Sequence, residues 1–260
     1  MGTYARLSSP EGPVWVRALD RALVARSASE LYDKVRSDTV VAGAPVVGDL
    51  LAPAEPTKIV CVGLNYLHHA REMNKAVPDE PLLFLKPPSS LLPPGGVIEL
   101  PPSSNLVHHE GELAVVMGAR ARKMDPTDAL ACVLGVTCLN DVTARDIQRR
   151  EGRYTRGKGF DTFAPCGPLL WTGVDPHALH VSTHVNGALR QESETSDMIF
   201  SVSEVLSFVS HIMTLEPGDI VTTGTPSGVG PLVDGDEVIV TLRHPDRAPL
   251  ELTNRVRAAS

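Results

Sequence analysis

The sequence has no long apolar segment and few cysteines, and each absence excludes a class of protein. Its apolar runs, such as 113–117, fall far short of the roughly 20 residues that a membrane helix needs. Its four cysteines include no C-x-x-C pair and are too few to cross-link 260 residues. We therefore expect no membrane span, and cysteines that are reduced and lie in the core.

An excess of basic residues is also absent, which argues against a nucleic-acid partner. The chain has 24 basic and 31 acidic residues and a net charge of −7, and its main basic cluster spans only 145–158. Hydrophobic residues make up 42% of the chain, enough for a substantial core, so we expect a soluble globular protein. The first residues lack the apolar region of a signal peptide, which predicts a cytoplasmic location.

Turn-forming residues predict many short strands. The 21 glycines and 22 prolines make up about a sixth of the chain. Residues 1–52 predict a small N-terminal subdomain with a hairpin and a helix at 28–36, followed by a proline-rich linker. Residues 57–257 predict one mixed α/β domain dominated by strands.

Several short motifs predict local structure within that domain. Asn186-Gly187 between two strand sequences favours a type I′ hairpin turn, because both turn positions need positive φ. Ser201 and Glu204 form a capping-box sequence at the start of an amphipathic helix. Asn65 and Asp125 are predicted to cap two further helices, over 66–74 and 126–132.

Three acidic residues are the clearest candidates for chemistry. Glu110 and Glu112 are two apart where a predicted strand begins, so their side chains point to one face, and Asp141 ends an otherwise apolar strand. Two like charges at ~4 Å repel by about 4 kcal/mol at an effective dielectric of about 20, so one acid is protonated or a cation lies between them. Three carboxylates without a thiolate favour Mg²⁺ or Mn²⁺. The alternative is the solvated face of an edge strand, and His108 shares the parity of the two glutamates, so the spacing leaves it open as a ligand.

Six motifs in order give the chain a resemblance to the fumarylacetoacetate hydrolase family. They are Gly63-Leu64-Asn65-Tyr66-x-x-His69-Ala70-x-Glu72-Met73, Leu83-Phe84-Leu85-Lys86-Pro87, Glu110-x-Glu112-Leu113-Ala114, Asn140-Asp141-Val142-Thr143-Ala144-Arg145-Asp146-x-Gln148, Lys158-Gly159-Phe160-Asp161 and Thr223-Gly224-Thr225-Pro226-x-Gly228-Val229-Gly230. The resemblance runs from about residue 57 to 257. Within the family, the stretch 149–163 resembles the bacterial isomerases and decarboxylases of homoprotocatechuate breakdown.

The resemblance implies a fold, a cofactor and an assembly. The fold is a distorted β-roll or barrel of mixed sheets with short helices, here with the small N-terminal subdomain added. The cofactor is a divalent metal ion, Mg²⁺ or Mn²⁺, held by Glu110, Glu112 and Asp141. The assembly is a homodimer.

Three residues are predicted to carry out catalysis. His69 and Glu72 are neighbours three apart on a short helix, so the carboxylate can orient and charge the imidazole, which is the candidate base. By resemblance this helix belongs to a lid that closes on the substrate. Lys158 lies between two glycines and is predicted to hold an oxyanion or a carboxylate. The alternatives are a surface His–Glu pair and a mobile Gly-Lys-Gly turn.

Four further residues are predicted to bind the substrate. Lys86, Arg145 and Gln148 match family positions at or near it, although Arg145 is equally suited to a structural pair with Asp141 or Asp146. Thr225, in a glycine-rich loop, offers its hydroxyl to a substrate carboxylate. The basic cluster at 145–158 is therefore interpreted as an anion-binding wall for a dicarboxylate.

These features predict an enzyme acting on a 2-oxo or 2-hydroxy dicarboxylic acid. A metal-dependent isomerase, also able to decarboxylate, of a substrate such as 2-hydroxyhepta-2,4-diene-1,7-dioate is the first hypothesis. An acylpyruvate- or fumarylpyruvate-type hydrolase or an oxaloacetate decarboxylase is the second, because the motifs are shared. A metal-binding protein without activity is the third, and the presence of His69, Glu72 and Lys158 argues against it.

Overall fold

The computed structural model describes residues 2–40, 43–72 and 74–259, and strands dominate it. The strands are β1 (Gly2–Leu7), β2 (Val14–Arg17), β3 (Leu23–Ala25), β4 (Leu50–Leu51), β5 (Ile59–Gly63), β6 (Leu82–Lys86), β7 (Leu91–Leu92), β8 (Val97–Leu100), β9 (Val107–His109), β10 (Gly111–Met117), β11 (Val133–Asn140), β12 (Thr143–Ala144), β13 (Ala164–Thr172), β14 (His180–Val185), β15 (Ala188–Glu194), β16 (Ile220–Thr222), β17 (Gly230–Leu232), β18 (Glu237–His244) and β19 (Arg247–Ala258).

Short helices connect these strands. The α-helices are α1 (Ala28–Arg36), α2 (Leu67–Glu72), α3 (Pro126–Ala129), α4 (Arg145–Glu151), α5 (Tyr154–Lys158) and α6 (Val202–Ile212), and 3-10 turns lie at Pro88–Ser90, Leu130–Cys132 and Thr195–Asp197. The predicted strand-dominated mixed α/β fold is confirmed. Among the described residues, no helix is long and apolar enough to cross a membrane.

Strands β10 and β11 lie in the middle of the largest sheet. Its main strand order is β3-β2-β1-β13-β11-β10-β16-β5-β6. All seven residues of β10 are buried, because both faces of the sheet are covered here. Alternate side chains therefore enter two different cores: Leu113 and Val115 pack in one, and Ala114 and Val116 in the other. A central strand of this kind is a rigid support for a functional side chain.

The two cores have different partners. Leu113 and Val115 pack with Val181 and Val240 of a second sheet, of order β15-β14-β18-β19-β8, and with Val205 of α6. Ala114 and Val116 pack in a cluster that includes Trp15, Val24 and Leu31 from the N-terminal region. A third sheet, β12-β9-β17, lies along the segment that enters β10.

The N-terminal region is joined to the large sheet by strand pairing. The predicted hairpin is confirmed as β1 and β2, and β1 also pairs with β13, where Tyr4 lies opposite Leu170. The predicted helix at 28–36 is confirmed as α1, and Ser27 caps it by accepting a hydrogen bond from the Glu30 N–H. The division into 1–52 and 57–257 stays a prediction.

The two strongest local signals are confirmed. Asn186 and Gly187 have φ values of 52° and 77° and connect β14 to β15, with Val185 opposite Ala188. Both hydrogen bonds of the capping box between Ser201 and Glu204 are formed at the start of α6.

Of the two further predicted helix caps, that at Asn65 is wrong and that at Asp125 is confirmed in its position. The Asn65 side chain accepts from the Phe200 N–H and donates to the carbonyls of Phe200 and Thr223, because burial places it between segments rather than at a helix end. Asp125 occupies the N-cap position of α3, but its side chain makes no capping hydrogen bond. Of the motif around α2, Met73 lies outside the described residues.

Candidate metal and active site

Pairing of β10 with β11 brings three carboxylates to one place. Gly111 lies opposite Asn140 in the ladder, and the Asp141 N–H donates to the Glu110 carbonyl at 2.8 Å. One oxygen from each of Glu110, Glu112 and Asp141 lies within 4.8 Å of the others, and all three residues are buried. The spacing of Glu110 and Glu112 predicted a shared face; the position of Asp141 follows from the strand register.

Three buried cations surround these acids. The Lys86 ammonium donates to Asp141 Oδ1 at 2.7 Å and to the Val142 carbonyl at 3.1 Å. The Lys158 ammonium donates to Glu110 Oε2 at 2.8 Å and also to Asp141, and Arg145 donates to Glu110. Three acids thus face three bases, and the cluster is formally neutral. A buried group of six charges costs free energy, so a role beyond stability is the simpler explanation for its presence.

The positive charge is unevenly shared among the acids. Burial alone would raise the pKa of Glu110, but the charges of Lys158 and Arg145 outweigh it and hold that pKa well below its ordinary value. Burial, and then the negative charge of Asp141, raise the pKa of Glu112 well above its ordinary value. The ion pairs of the cluster involve Glu110 and Asp141, whereas Glu112 accepts one hydrogen bond, from the Gly224 N–H at 3.0 Å.

This arrangement fits a divalent metal ion. Glu110, Glu112 and Asp141 offer only carboxylate oxygens, which Mg²⁺ and Mn²⁺ prefer. Within the described part of the chain, Glu112 forms no ion pair of the kind that the other two acids have, and a cation held among the three would supply the missing countercharge. The residues present are therefore suited to the divalent metal ion, Mg²⁺ or Mn²⁺, that the family resemblance implies.

Two of the acids, Glu110 and Glu112, line a cavity of about 560 Å³. Eight of the ten predicted site residues line it: His69, Glu72, Glu110, Glu112, Arg145, Gln148, Lys158 and Thr225. The other two, Lys86 and Asp141, belong to the described part of the chain but are not among the lining residues. The structure thus gathers residues from five separate segments around one space.

The His69–Glu72 pair is formed. Nδ1 of His69 lies 3.0 Å from Glu72 Oε2, and Glu72 also accepts from the Gly228 N–H at 3.1 Å. Because an ionised carboxylate only accepts hydrogen bonds, this contact assigns the proton to Nδ1 and leaves Nε2 as the acceptor of the ring. His69 is largely buried, so the interpretation of the pair as a fully exposed surface contact does not apply.

The Thr225 loop is held by a residue that the sequence did not reveal. The Thr225 hydroxyl donates to the Gly111 carbonyl at 2.9 Å and accepts from Gln191 Nε2 at 2.7 Å. Oε1 of Gln191 accepts from the Gly111 N–H at 3.0 Å and contacts His109 Nδ1 at 3.0 Å. In β15, Gln191 is the one fully buried residue among exposed neighbours, and a single polar residue in a strand carries no motif that would have identified it.

Lys86 was predicted to bind the substrate, but it is not among the described residues that line the cavity. Its ammonium is wholly buried and bound to Asp141 and Val142, because β6 runs beside β5 and directs this side chain under the acids. It therefore fixes Asp141 and does not face the cavity. No contact with a substrate follows from this position.

The structure does not support the alternative interpretations of Lys158 and Arg145, which were a mobile turn and a structural pair with Asp141 or Asp146. Lys158 is the last residue of α5 and is buried, with its ammonium 4.6 Å from the centre of the Phe84 ring, so it does not belong to a mobile turn. Arg145 pairs with Glu110 and Gln148 instead of Asp141 or Asp146, since Asp146 accepts hydrogen bonds from Ser104 and Asn105.

His108 is separate from the three acids. It lies in β9 opposite Thr143, and the cluster of possible ligand atoms does not include it. Burial, and then the charge of Arg145, lower the pKa of His108 to about 4. It is therefore neutral at pH 7.

The chain is similar to a known family over most of its length. A family model described as fumarylacetoacetate (FAA) hydrolase C-terminal matches residues 58–257. A Bos taurus protein named as a mitochondrial oxaloacetate tautomerase is 48% identical over 201 residues, which cover 72% of this chain and 64% of that protein.

Two solved structures are similar over nearly the whole chain. A 5-carboxymethyl-2-hydroxymuconate delta-isomerase from Mycobacterium smegmatis has 37% identity and a TM-score of 0.83, with 99% of each chain covered. A 2-hydroxyhepta-2,4-diene-1,7-dioate isomerase from Mycobacterium marinum has 36% identity and a TM-score of 0.82, with 100% of each chain covered. Both similarities include the N-terminal region as well as the segment matched by the family model.

Proposed function

The chain belongs to the fumarylacetoacetate hydrolase family, and on that premise we propose that it is a divalent-metal-dependent isomerase of an unsaturated 2-hydroxy or 2-oxo dicarboxylic acid. The proposed substrate is 2-hydroxyhepta-2,4-diene-1,7-dioate, an intermediate of aromatic-compound catabolism, with decarboxylation as a further activity. The observation that carries the proposal is the cluster of Glu110, Glu112 and Asp141, two members of which, Glu110 and Glu112, line a cavity together with His69.

The acids and the basic residues divide the chemistry between them. A divalent cation held by Glu110, Glu112 and Asp141 would supply Lewis acidity toward negative charge on the substrate's 2-oxygen. Lys158 and Arg145 place two positive charges beside these acids, where they attract and orient an anionic substrate. The Thr225 loop, held by Gln191, is proposed to position a substrate carboxylate through its backbone N–H groups, because the Thr225 hydroxyl already donates its proton to the Gly111 carbonyl.

His69 is the proposed proton carrier. With Nδ1 directed at Glu72, its Nε2 takes a proton from the enol oxygen, or from the carbon beside the oxo group, and returns it to another substrate atom. Glu72 keeps the ring in this tautomer and stabilises it when it becomes charged. Isomerisation needs no more than this transfer and a stabilised oxyanion.

Keto–enol tautomerisation of oxaloacetate is a second candidate, favoured by the similarity to the bovine protein. The reaction is again a proton transfer next to a 2-oxygen, so the same residues serve it. Hydrolysis of an acylpyruvate or fumarylpyruvate and decarboxylation of oxaloacetate stay alternatives. The cytoplasmic location and the homodimer also stay predictions.

Turnover assays with Mg²⁺ distinguish these reactions. A shift in diene absorbance of 2-hydroxyhepta-2,4-diene-1,7-dioate without cleavage supports the isomerase, and loss of the enol absorbance of oxaloacetate supports the tautomerase. Release of pyruvate from acetylpyruvate would instead support a hydrolase. The Glu112→Gln variant should lose at least about a thousandfold in turnover, because a metal Lewis acid contributes several kcal/mol. Unchanged turnover in that variant would contradict the proposal, and Arg156→Ala, outside the cavity, is the control.

A further inference from the structure

The outer part of the cavity carries three cations that the proposed chemistry does not use. Lys75, Arg149 and Arg153 line the cavity together with Arg145 and Lys158. Arg149 and Arg153 are exposed, and within the described residues neither forms an ion pair with a carboxylate. Long cationic side chains that face a cavity without a protein partner are available to an anionic ligand.

Two other arginines in the same segment have protein partners. Arg156 pairs with Glu151 at 2.8 Å, and Arg150 lies 3.8 Å from the same carboxylate. Neither Arg150 nor Arg156 is among the described residues that line the cavity. Between residues 149 and 156, the two arginines outside the cavity thus lie near a carboxylate, whereas the two that line the cavity do not.

The unpaired arginines lie about one helical turn outward from the buried cations. Arg149 is four residues after Arg145 on α4, which places the two side chains on one face at roughly 6 Å. Arg153 precedes α5, whose last residue is Lys158, and five helical residues span about 7.5 Å. Tyr154 stacks on Phe84 at 4.7 Å and holds the start of α5 against β6. The cavity therefore has an inner and an outer layer of positive charge.

The charge of the cavity is opposite to that of the protein. Five Lys or Arg side chains and three Glu side chains line it, so the lining has a formal excess of two positive charges, whereas the whole chain has a net charge of −7. A bound divalent cation would add to this excess. A ligand with a single carboxylate, held beside the inner layer, would leave the outer layer without a counterion.

We propose that Arg149 and Arg153 form a second anion subsite, which binds the distal carboxylate of a short dicarboxylate and selects dianionic over monoanionic 2-oxo acids. This inference rests on the proposed function, because it takes the inner end of the cavity as the place of the 2-oxo acid group. It assigns substrate selection to two exposed residues outside the buried cluster. Lys75, on the segment after α2, adds to the same positive field.

Binding of two matched ligands tests this subsite. 2-Oxoglutarate and 2-oxopentanoate share the 2-oxo acid group and the chain length, and they differ in a distal carboxylate against a methyl group. Their affinities are measured by calorimetry with Mg²⁺ for the wild type, Arg149→Ala, Arg153→Ala and the double variant. Arg150→Ala and Arg156→Ala are matched controls, and exposed substitutions of this kind change stability little.

The wild type should bind 2-oxoglutarate at least about tenfold more tightly than 2-oxopentanoate, as expected for charge-assisted contacts. The double variant should bring this ratio close to one while the affinity for 2-oxopentanoate stays unchanged, and both controls should keep the wild-type ratio. Equal binding of the two ligands by the wild type, or a ratio that survives in the double variant, would overturn the subsite and leave the proposed function standing. Binding of neither ligand would overturn the proposed function and the subsite with it.

Discussion

The two walls of the cavity are built from different kinds of structure. Glu112 belongs to the ladder of β10 and β11 in the middle of the largest sheet, and Glu110 and Asp141 directly flank its end, where the Asp141 N–H donates to the Glu110 carbonyl. His69, Arg145 and Lys158 come from α2, α4 and α5, which have six, seven and five residues. Helices this short are not stable alone and depend on tertiary contacts.

We call the three acids the strand wall and the residues of α2, α4 and α5 the helix wall, and this difference in structure gives each wall its own task. The strand wall sets the distances among the carboxylates, which a metal site requires to be constant. The helix wall carries the proposed base, two of the three buried cations and, next to them, the exposed arginines that line the cavity. We infer that changes in the strand wall affect metal binding and stability, whereas changes in the helix wall affect turnover and substrate choice.

Removing Lys86, the buried lysine that supports Asp141 of the strand wall, should have the largest effect on stability. Lys86→Met removes one of the two cations of Asp141, in a site that solvent does not reach, so the loss should approach the roughly 3–5 kcal/mol that breaking a buried ion pair costs. Urea unfolding measures the loss of free energy of unfolding. The exposed pair of Arg156 and Glu151 is the control, since Arg156→Ala should cost less than about 1 kcal/mol. Equal losses in the two variants would remove the distinction between the walls.

Removing the base from the helix wall should affect catalysis alone. His69→Ala is expected to lower kcat by at least about a hundredfold, the range of general acid–base catalysis, because it removes Nε2, the proposed proton acceptor. Metal affinity, measured by calorimetry, should stay nearly unchanged because His69 is not part of the carboxylate cluster. Loss of metal binding in this variant would contradict the assigned role.

The contact between the helix wall and the glycine-rich loop should have the smallest effect. Glu72 joins His69 to the Gly228 N–H, and Glu72→Gln keeps its size but removes its charge. We expect kcat to fall about tenfold, as for the loss of one charge-assisted hydrogen bond, with metal affinity unchanged. Glu151→Gln, which alters an exposed pair on α4, is the matched control and should leave kcat unaltered. A larger loss than in His69→Ala would show that Glu72 has a role of its own.

The sequence predicted the strand wall better than the helix wall. The i, i+2 spacing of Glu110 and Glu112 needs only the period of a strand, and that period is present in the sequence. Helices α4 and α5 were not predicted, because neither has a side-chain cap and their residues are mostly polar or charged. Strand β13 was missed as well, since Pro165 and Pro168 lie within it and proline normally argues against a strand.

The roles of Lys86 and Gln191 could not be predicted from the sequence because they depend on contacts between residues far apart in the chain. Lys86 and Asp141 are 55 residues apart, and Gln191 and Thr225 are 34 apart. Only the order of strands in the sheets brings these pairs together, so no local pattern reveals that Lys86 holds an acid or that Gln191 holds the loop. The family resemblance identified Lys86 as a residue near the site but not which group it contacts.

Calorimetric titration with Mg²⁺ or Mn²⁺ tests the central claim most directly. The wild type should bind one ion per chain, and Glu112→Gln should weaken that binding by at least about a hundredfold, because it removes the carboxylate that forms no ion pair within the described residues. Binding of equal strength in the wild type and in Glu112→Gln would contradict the claim that Glu110, Glu112 and Asp141 hold a metal ion together.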